Sequence, residues 1–371
     1  MKKDKALLFL PYLAPYRINA LNEIGKYYDL TVVFLLENTI SIKYDQKVLR
    51  SMLKVDYIVL TSGFTIKSRQ IRFGILKLIK RHKPKVIFSN EYGLTSLLVS
   101  LFKYMKLFNY KHISTTSDNR IMAASTHLVR RIARYFVLKS CEGLIVYNQE
   151  TKDWYQDHYR NLKVRICPNI QNPDDLLKNT ERYEALAKSY VEQYGLQGKK
   201  VYLFIGRLHP MKALDKLIAN FKKVREPNEI LLLVGDGPLK EELKKQIQDL
   251  NLGNDVLLPG KFEGNKLFAW YKVADLFILA SNHEPFGAVI NESLILGTPV
   301  LCSSVAGATY FIEEGMNGLI FDPHDSADFI EKFRLARNIF KDFNSAGANL
   351  MKIGFEESLE VYQSLYQEIK R

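Results

Sequence analysis

The sequence predicts an α/β protein made of two doubly wound parallel-sheet domains in tandem. Three observations point there. Short apolar runs alternate with helix-like stretches along both halves of the chain, the pattern of strand–helix–strand units. A stretch rich in Pro, Asn and Asp, RICPNIQNPDD at 165–175, interrupts that alternation as a linker would. The length, 371 residues, exceeds one ordinary open α/β domain and suits two of similar size.

Strands buried on both faces read as near-continuous apolar runs. In the first half such runs are Ala6–Leu10, Thr31–Leu36, Asp56–Leu60, Val86–Ser89, Lys111–Thr116 and Gly143–Tyr147. Helical patterns fall between them at Ile18–Tyr28, Ile71–Arg81, Leu94–Lys106 and Ser125–Lys139. After the linker comes a polar helical stretch, Leu176 to about Gln193, and then a second series. Its strands are Val201–Ile205, Ile230–Val234, Val256–Leu258, Leu276–Ala280 and Val300–Cys302. Its helices are Ala213–Val224, Leu239–Leu250 and Phe286–Leu296.

Hydrophobic residues form 47% of the chain, enough for two cores. Cys141, Cys167 and Cys302 lie far apart with no metal-ligand spacing, which fits a reducing cytoplasm better than a disulfide framework. The start, MKKDKALLFLPYLAPYR, is basic and then apolar. Pro11 and Pro15 break it and no small-residue cleavage site follows, so it reads as a first strand and its loop rather than a signal peptide. No apolar run approaches the roughly twenty residues of a membrane span. The net charge of +13 is uneven: residues 1–170 hold 29 Lys and Arg against 12 Asp and Glu, a net +17, and the remainder holds 24 against 28, a net −4. A basic half suits nucleic acid, an anionic membrane or a phosphorylated substrate, and a solvated Lys-rich surface accounts for it equally simply.

Chemistry concentrates in HEPFGAVINES, 283–293, which follows an apolar strand and opens a helix. Glu284 precedes the helix and Glu292 lies within it. Gly287 permits close approach of backbone to ligand, and the free N–H groups of a helix start bind phosphate. One carboxylate can hold sugar hydroxyls and the other a ribose diol; a capped helix with two surface acids is the plainer reading. Gly206-Arg207 follows the strand VYLFI, with Lys212 five residues on, and two cations there suit a diphosphate whose charge grows on departure. Gly235-Asp236-Gly237-Pro238 lacks the third glycine of a dinucleotide fingerprint and reads as a tight turn with some ligand contact. In Pro259-Gly260-Lys261 another turn follows a strand, and its backbone is placed to read the edge of a base.

Together with Gly297-Thr-Pro-Val and Asn317-Gly318, these motifs occur in an order that resembles retaining glycosyltransferases of family 4. The resemblance covers about 200–325. It implies a GT-B fold: two Rossmann-like domains facing across a cleft, 1–172 for the acceptor and 173–355 for the nucleotide sugar, with a last helix, about 356–371, crossing back to the first. It also implies retention at the anomeric carbon and no required metal or other cofactor. By the same resemblance Arg207 and Lys212 bind the donor diphosphate, Glu292 the ribose, and Glu284 with the backbone of Phe286, Gly287 and Ala288 the transferred sugar. Ala14 and Pro15 stand where many members carry a Gly-Gly turn that approaches the donor. Here Pro15-Tyr16-Arg17 is similar to a subgroup of bacterial polysaccharide transferases, and Arg17 is placed for a phosphate or an acceptor.

Many members also carry a His after the fourth or fifth strand. His112 lies near the start of its strand, whereas ligands of open α/β sheets gather at the carboxyl ends. Ser117 and Asp118 take that place, with Asp118 expected to orient or deprotonate an acceptor hydroxyl; a helix cap is the alternative. Glu91 is a second acceptor-side candidate. The expected acceptor is a glycan or a polyprenyl-diphosphate-linked glycan, reached from the cytoplasm at the inner face of the membrane, where Lys- and Arg-bearing segments within 94–111 and 126–139 would rest. No recognised nucleic-acid module appears. An epimerase of the same fold and an idle nucleotide- or glycan-binding protein are the competing readings.

Overall fold

The computed structural model describes residues 3–38, 44–66, 69–341 and 348–370. The chain divides into two compact units, Met1–Gln171 with Phe355–Arg371, and Asn172–Gly354. In the first, strands β1 (Lys5–Leu10), β2 (Asp29–Phe34) and β3 (Asp56–Val59) are followed by a small hairpin, β4 (Gly63–Ile66) and β5 (Arg69–Arg72). Then come β6 (Val86–Asn90), β7 (Lys111–Thr115), β8 (Gly143–Val146) and β9 (Lys163–Ile166). The main sheet is parallel in the order β3-β2-β1-β6-β7-β8-β9. The second unit has β10 (Lys200–Ile205), β11 (Glu229–Val234), β12 (Val256–Gly260), β13 (Leu276–Leu279), β14 (Val300–Ser303) and β15 (Gly318–Phe321), ordered β12-β11-β10-β13-β14-β15. In each sheet the strand order reverses beside the first strand, at β1/β6 and β10/β13. That reversal leaves a crevice at the carboxyl ends of the strands, where ligands of such sheets bind.

The central strands of both sheets are buried on both faces and are apolar accordingly: five of the six residues of β1 and all six of β11 are buried. The chain ends in Phe355–Leu359 and Val361–Lys370, which pack on the first unit. Leu365 lies against Gly143, where an added Cβ would approach its Cδ2 to 2.9 Å. The Tyr366 hydroxyl donates to Asp4 at 3.0 Å, and the Tyr28 hydroxyl donates to the Tyr362 carbonyl at 2.7 Å.

Several elements differ from expectation: the helix expected over Ser125–Lys139 begins at Leu128, the strand at Val256 runs through the expected Pro259-Gly260 turn, and Gly318–Phe321 adds an unexpected strand. The helix expected over Ile71–Arg81 begins at Ile75, because Gly74 takes φ +93 at its start and Arg69–Arg72 instead pair antiparallel with Gly63–Ile66. The expected linker surrenders Arg165 and Ile166 to the sheet, as the end of its last strand, Lys163–Ile166. The helix expected over Phe286–Leu296 runs Ala288–Ile295, since Gly287 stands in the left-handed region at φ +95. The single last helix is broken at Glu360, and Arg371 of that expectation lies outside the described residues.

Candidate active site

In the second unit the loops leaving β10, β11 and β13 are fastened to one another by backbone. The Leu208 N–H donates to the Asp236 carbonyl at 2.9 Å, and the Gly206 N–H to Val234 at 3.0 Å. A Cβ on Gly235 would stand 1.8 Å from the Gly206 carbonyl oxygen, and one on Gly237 would stand 2.4 Å from that of Leu208. The Gly-Asp-Gly turn therefore owes its glycines to close packing of two loop backbones. Arg207, carried between these contacts, is exposed.

Lys212 ends a short 3-10 turn, Pro210–Lys212, whose start is capped by His209. Its ammonium forms an ion pair with Glu284, and both side chains are largely buried. Glu284 is held from behind by main chain: its carbonyl accepts from Gly307 at 3.3 Å, and that of Phe286 accepts from Ala308 at 2.7 Å. The Phe286 ring is buried edge-on to Phe311 at 5.9 Å, so only its backbone faces outward roles. Gly287 is tightly enclosed, with a Cβ reaching Leu279 at 2.9 Å and Glu284 Cγ at 3.3 Å. The helix then opens at Ala288 with no side-chain cap, and in its first turn the Ile290 N–H donates to the Gly287 carbonyl at 3.0 Å. One turn on, Glu292 accepts from the buried Tyr271 hydroxyl at 2.9 Å.

Of the other donor-side candidates, Gly260 needs its glycine for φ alone, at +98 with open space around a Cβ. Its carbonyl accepts from Gly235 at 2.9 Å. Lys261 and Pro238 are exposed, and Lys261 pairs with Glu263 at 2.6 Å, which raises its pKa. In the first unit Ala14 is fully buried and Pro15 opens the turn Pro15–Arg17. Tyr16 is exposed, and the Arg17 guanidinium lies 5.8 Å from its ring. Arg17 also lines two small cavities of about 80 and 50 Å³ with Tyr147, Cys167 and Tyr362.

The acceptor-side candidates converge on a network that extends beyond the residues expected. Glu91, in the left-handed region at φ +59, accepts from the Ser117 N–H at 2.7 Å and hydroxyl at 2.6 Å, from Thr116 at 3.2 Å and from Arg130 at 2.8 Å. Arg130 also donates to Asp118 Oδ1 at 2.6 Å, and the Tyr155 hydroxyl donates to Asp118 Oδ2 at 2.8 Å. Tyr92 donates in turn to Tyr155 at 2.8 Å. The Asp118 side chain is wholly buried, with both oxygens engaged. Burial, aided by the charge of Glu91, raises its pKa against the pull of Arg130 and Tyr155. The expectation that Asp118 meets an acceptor hydroxyl therefore fails in this arrangement: its carboxylate is enclosed and spends its acceptors on the protein. Ser117 likewise turns its hydroxyl to Glu91. Arg130 and Tyr155 reach Asp118 from 12 and 37 residues away, and Tyr92, next to Glu91 in the chain, stands behind Tyr155; no local pattern marks these partnerships. His112 is buried with Nε2 2.8 Å from Ser89 Oγ, and burial holds its pKa down at about 3. Beside the network a cavity of about 490 Å³ is lined by Phe9, Leu10, Leu35, Leu94, Glu91 and Arg130 among others.

The second unit carries the sequence features of a known domain. Residues 188–339 match the family model described as Glycosyl transferases group 1. The chain is 30% identical over 240 residues to an uncharacterized glycosyltransferase of Methanocaldococcus jannaschii, covering 62% of this chain and 58% of that protein. It is 30% identical over 285 residues to the alpha-monoglucosyldiacylglycerol synthase of Streptococcus pneumoniae, covering 72% and 64%. The chain thus spans under two thirds of the length of either relative. The crystal structure of Anabaena HepE in complex with UDP-glucose superposes over 99% of both chains with a TM-score of 0.70 at 18% identity. The fold is GT-B.

Proposed function

We propose that the chain is a retaining glycosyltransferase of family 4. It moves a hexose-type sugar from a UDP- or GDP-linked donor to a glycan or lipid-linked acceptor in bacterial surface polysaccharide synthesis. The observation that carries this reading is the pairing of Lys212 with Glu284 beside the start of the helix that bears Glu292. A cation, two carboxylates and a helix start at the carboxyl edge of a doubly wound sheet suit a sugar diphosphate: phosphate to the helix start and Lys212, ribose to Glu292, sugar hydroxyls to Glu284. One relative named a glycosyltransferase and another named an alpha-monoglucosyldiacylglycerol synthase support the reaction class and a lipid-linked acceptor.

In the reaction the bond from the anomeric carbon to the diphosphate oxygen breaks, and a bond to the acceptor oxygen forms on the same face. The acceptor proton passes to the leaving diphosphate. Arg207 and Lys212 neutralise the charge that develops there, so neither a metal nor another cofactor is required. The enclosed state of Asp118 favours the leaving group over a protein base as proton acceptor. A thermal-shift panel of nucleotide sugars, followed by mass spectrometry and anomeric analysis of products, tests the reading. Glu284→Ala and Arg207→Ala should each abolish transfer while the protein stays folded. Binding of no nucleoside diphosphate, or an inverted linkage, overturns it; conversion of the donor without acceptor identifies an epimerase instead.

A further inference from the structure

We propose that the outward face of the helix Leu128–Ser140 seats this protein on an anionic bilayer. The helix is apolar on two sides. Its inner side, with Val137 and Leu138, is buried in the first unit's core. Its outer side leaves Leu128, Val129, Ile132, Tyr135 and Phe136 between 48% and 60% exposed. At 3.6 residues per turn these five lie within an arc of about 120°. A helix apolar on two sides is ordinarily covered on both, so the outer face calls for an occupant.

Charge selects the occupant. Lys139 falls inside the apolar arc, with its ammonium 5.7 Å from the Tyr135 ring, and exposed Arg131 borders it. Between Leu94 and Cys141 eight Lys and Arg stand against a single acid, Asp118, which is buried. Aromatic rings beside cations on an apolar helix face are the composition that binds the headgroup boundary of anionic lipid. A second copy of the chain would set like charges against each other across a two-fold axis. Just beyond the helix, Glu142 pairs with Lys103 of the helix Leu94–Tyr104, at whose end Tyr104 and the following Met105 are exposed. Among the described residues no helix is long and apolar enough to cross a membrane, so the contact is a seat and not a span.

The face is continuous with the cavity of about 490 Å³: Val129 belongs to both, and Arg130 and Ala133 of the same helix line the cavity. An acceptor with an apolar portion could pass from lipid into that cavity without crossing water. The surface argument goes beyond the donor chemistry and does not rest on it.

Co-sedimentation of the full chain with phosphatidylcholine vesicles, with and without phosphatidylglycerol, tests the proposal. Binding should require phosphatidylglycerol and weaken with salt. The double variants Ile132→Ser/Phe136→Ser and Arg131→Ala/Lys139→Ala should each lower the partition coefficient about tenfold, with the thermal transition unchanged. Wild-type protein that ignores anionic vesicles, or variants that bind as wild type does, overturn it. So does loss of a concentration-dependent dimer in the variants without change in vesicle binding, which assigns the face to self-association. Nucleotide-sugar turnover in vesicle-free solution reports on the donor reading separately.

Discussion

Glu284 and Glu91 occupy matching places in the two units. Each follows the strand that pairs with the first strand across the reversal of order, β13 in one sheet and β6 in the other. Their surroundings differ. Glu284 meets one cation, Lys212, and is otherwise supported by main chain. Glu91 accepts from a backbone N–H, two hydroxyls and a guanidinium, and so locks the loop Thr116–Asp118 in place. Glu91 is the more exposed of the two, at 25% against 12% of the side chain. Exposure therefore does not separate them; the number of protein partners does. A carboxylate with one exchangeable partner can trade it for ligand hydroxyls, whereas one with four is committed to structure.

The largest expected effect tests that contrast directly. Lys212→Ala should lower donor turnover about 10³-fold, about 4 kcal/mol of transition-state stabilisation, with little change in melting temperature. Glu91→Ala should do the reverse, lowering the melting temperature of the first unit while nucleotide binding in calorimetry stays intact. Loss of nucleotide binding in Glu91→Ala would break the comparison.

Glycines sharpen it next. Gly235→Ala forces a Cβ onto the Gly206 carbonyl and should cost about 3 kcal/mol in urea denaturation. Gly93, beside Glu91, has open space around a Cβ and an ordinary φ of −75, so Gly93→Ala should change stability by under about 1 kcal/mol.

Acid should separate the units as well. His112 is held at about 3 in the folded protein against about 6.5 unfolded, by burial and then by Lys103. A depressed pKa contributes stability that is full above the unfolded value and is lost as pH falls from about 6.5 towards 3, at about 1.4 kcal/mol per pH unit. Hydrogen exchange at pH 7 and pH 5 should show this loss in the first unit, and His112→Gln should flatten it. An equal loss in the variant would assign the acid sensitivity to other groups. The smallest effect is expected at Glu292: Glu292→Gln keeps the Tyr271 contact and should raise donor KM about tenfold, about 1.4 kcal/mol, with kcat unchanged in steady-state assays.

Most of the fold was legible because its signal is local. Strands buried on two faces are apolar at every position, and β1, β2, β10, β11 and β13 announce themselves within a residue or two. One buried apolar strand, β15 (GLIF), was missed because it is only four residues long and directly follows Asn317; other elements escaped because they lack that signal. β9, KVRI, lies at the sheet's edge with one fully buried residue in four. The hairpin before Gly74 ends on Arg72, which is buried and donates to the carbonyls of Leu35 and Phe64, and an arginine gives no sign of burial in sequence. At the candidate site the glycine turns and the carboxylates were visible as strand–turn–helix motifs. Their partners were not.

The sequence alone determined where the strands end and which residue types sit at their carboxyl edges, because apolar runs, positive-φ glycines and helix starts are written within a few positions of one another. The tertiary structure decided what each charged group does there. Lys212 lies 72 residues from Glu284, and Tyr155 lies 37 from Asp118. Whether a carboxylate is offered or enclosed depends on such remote donors, and only the folded chain brings them within hydrogen-bond reach.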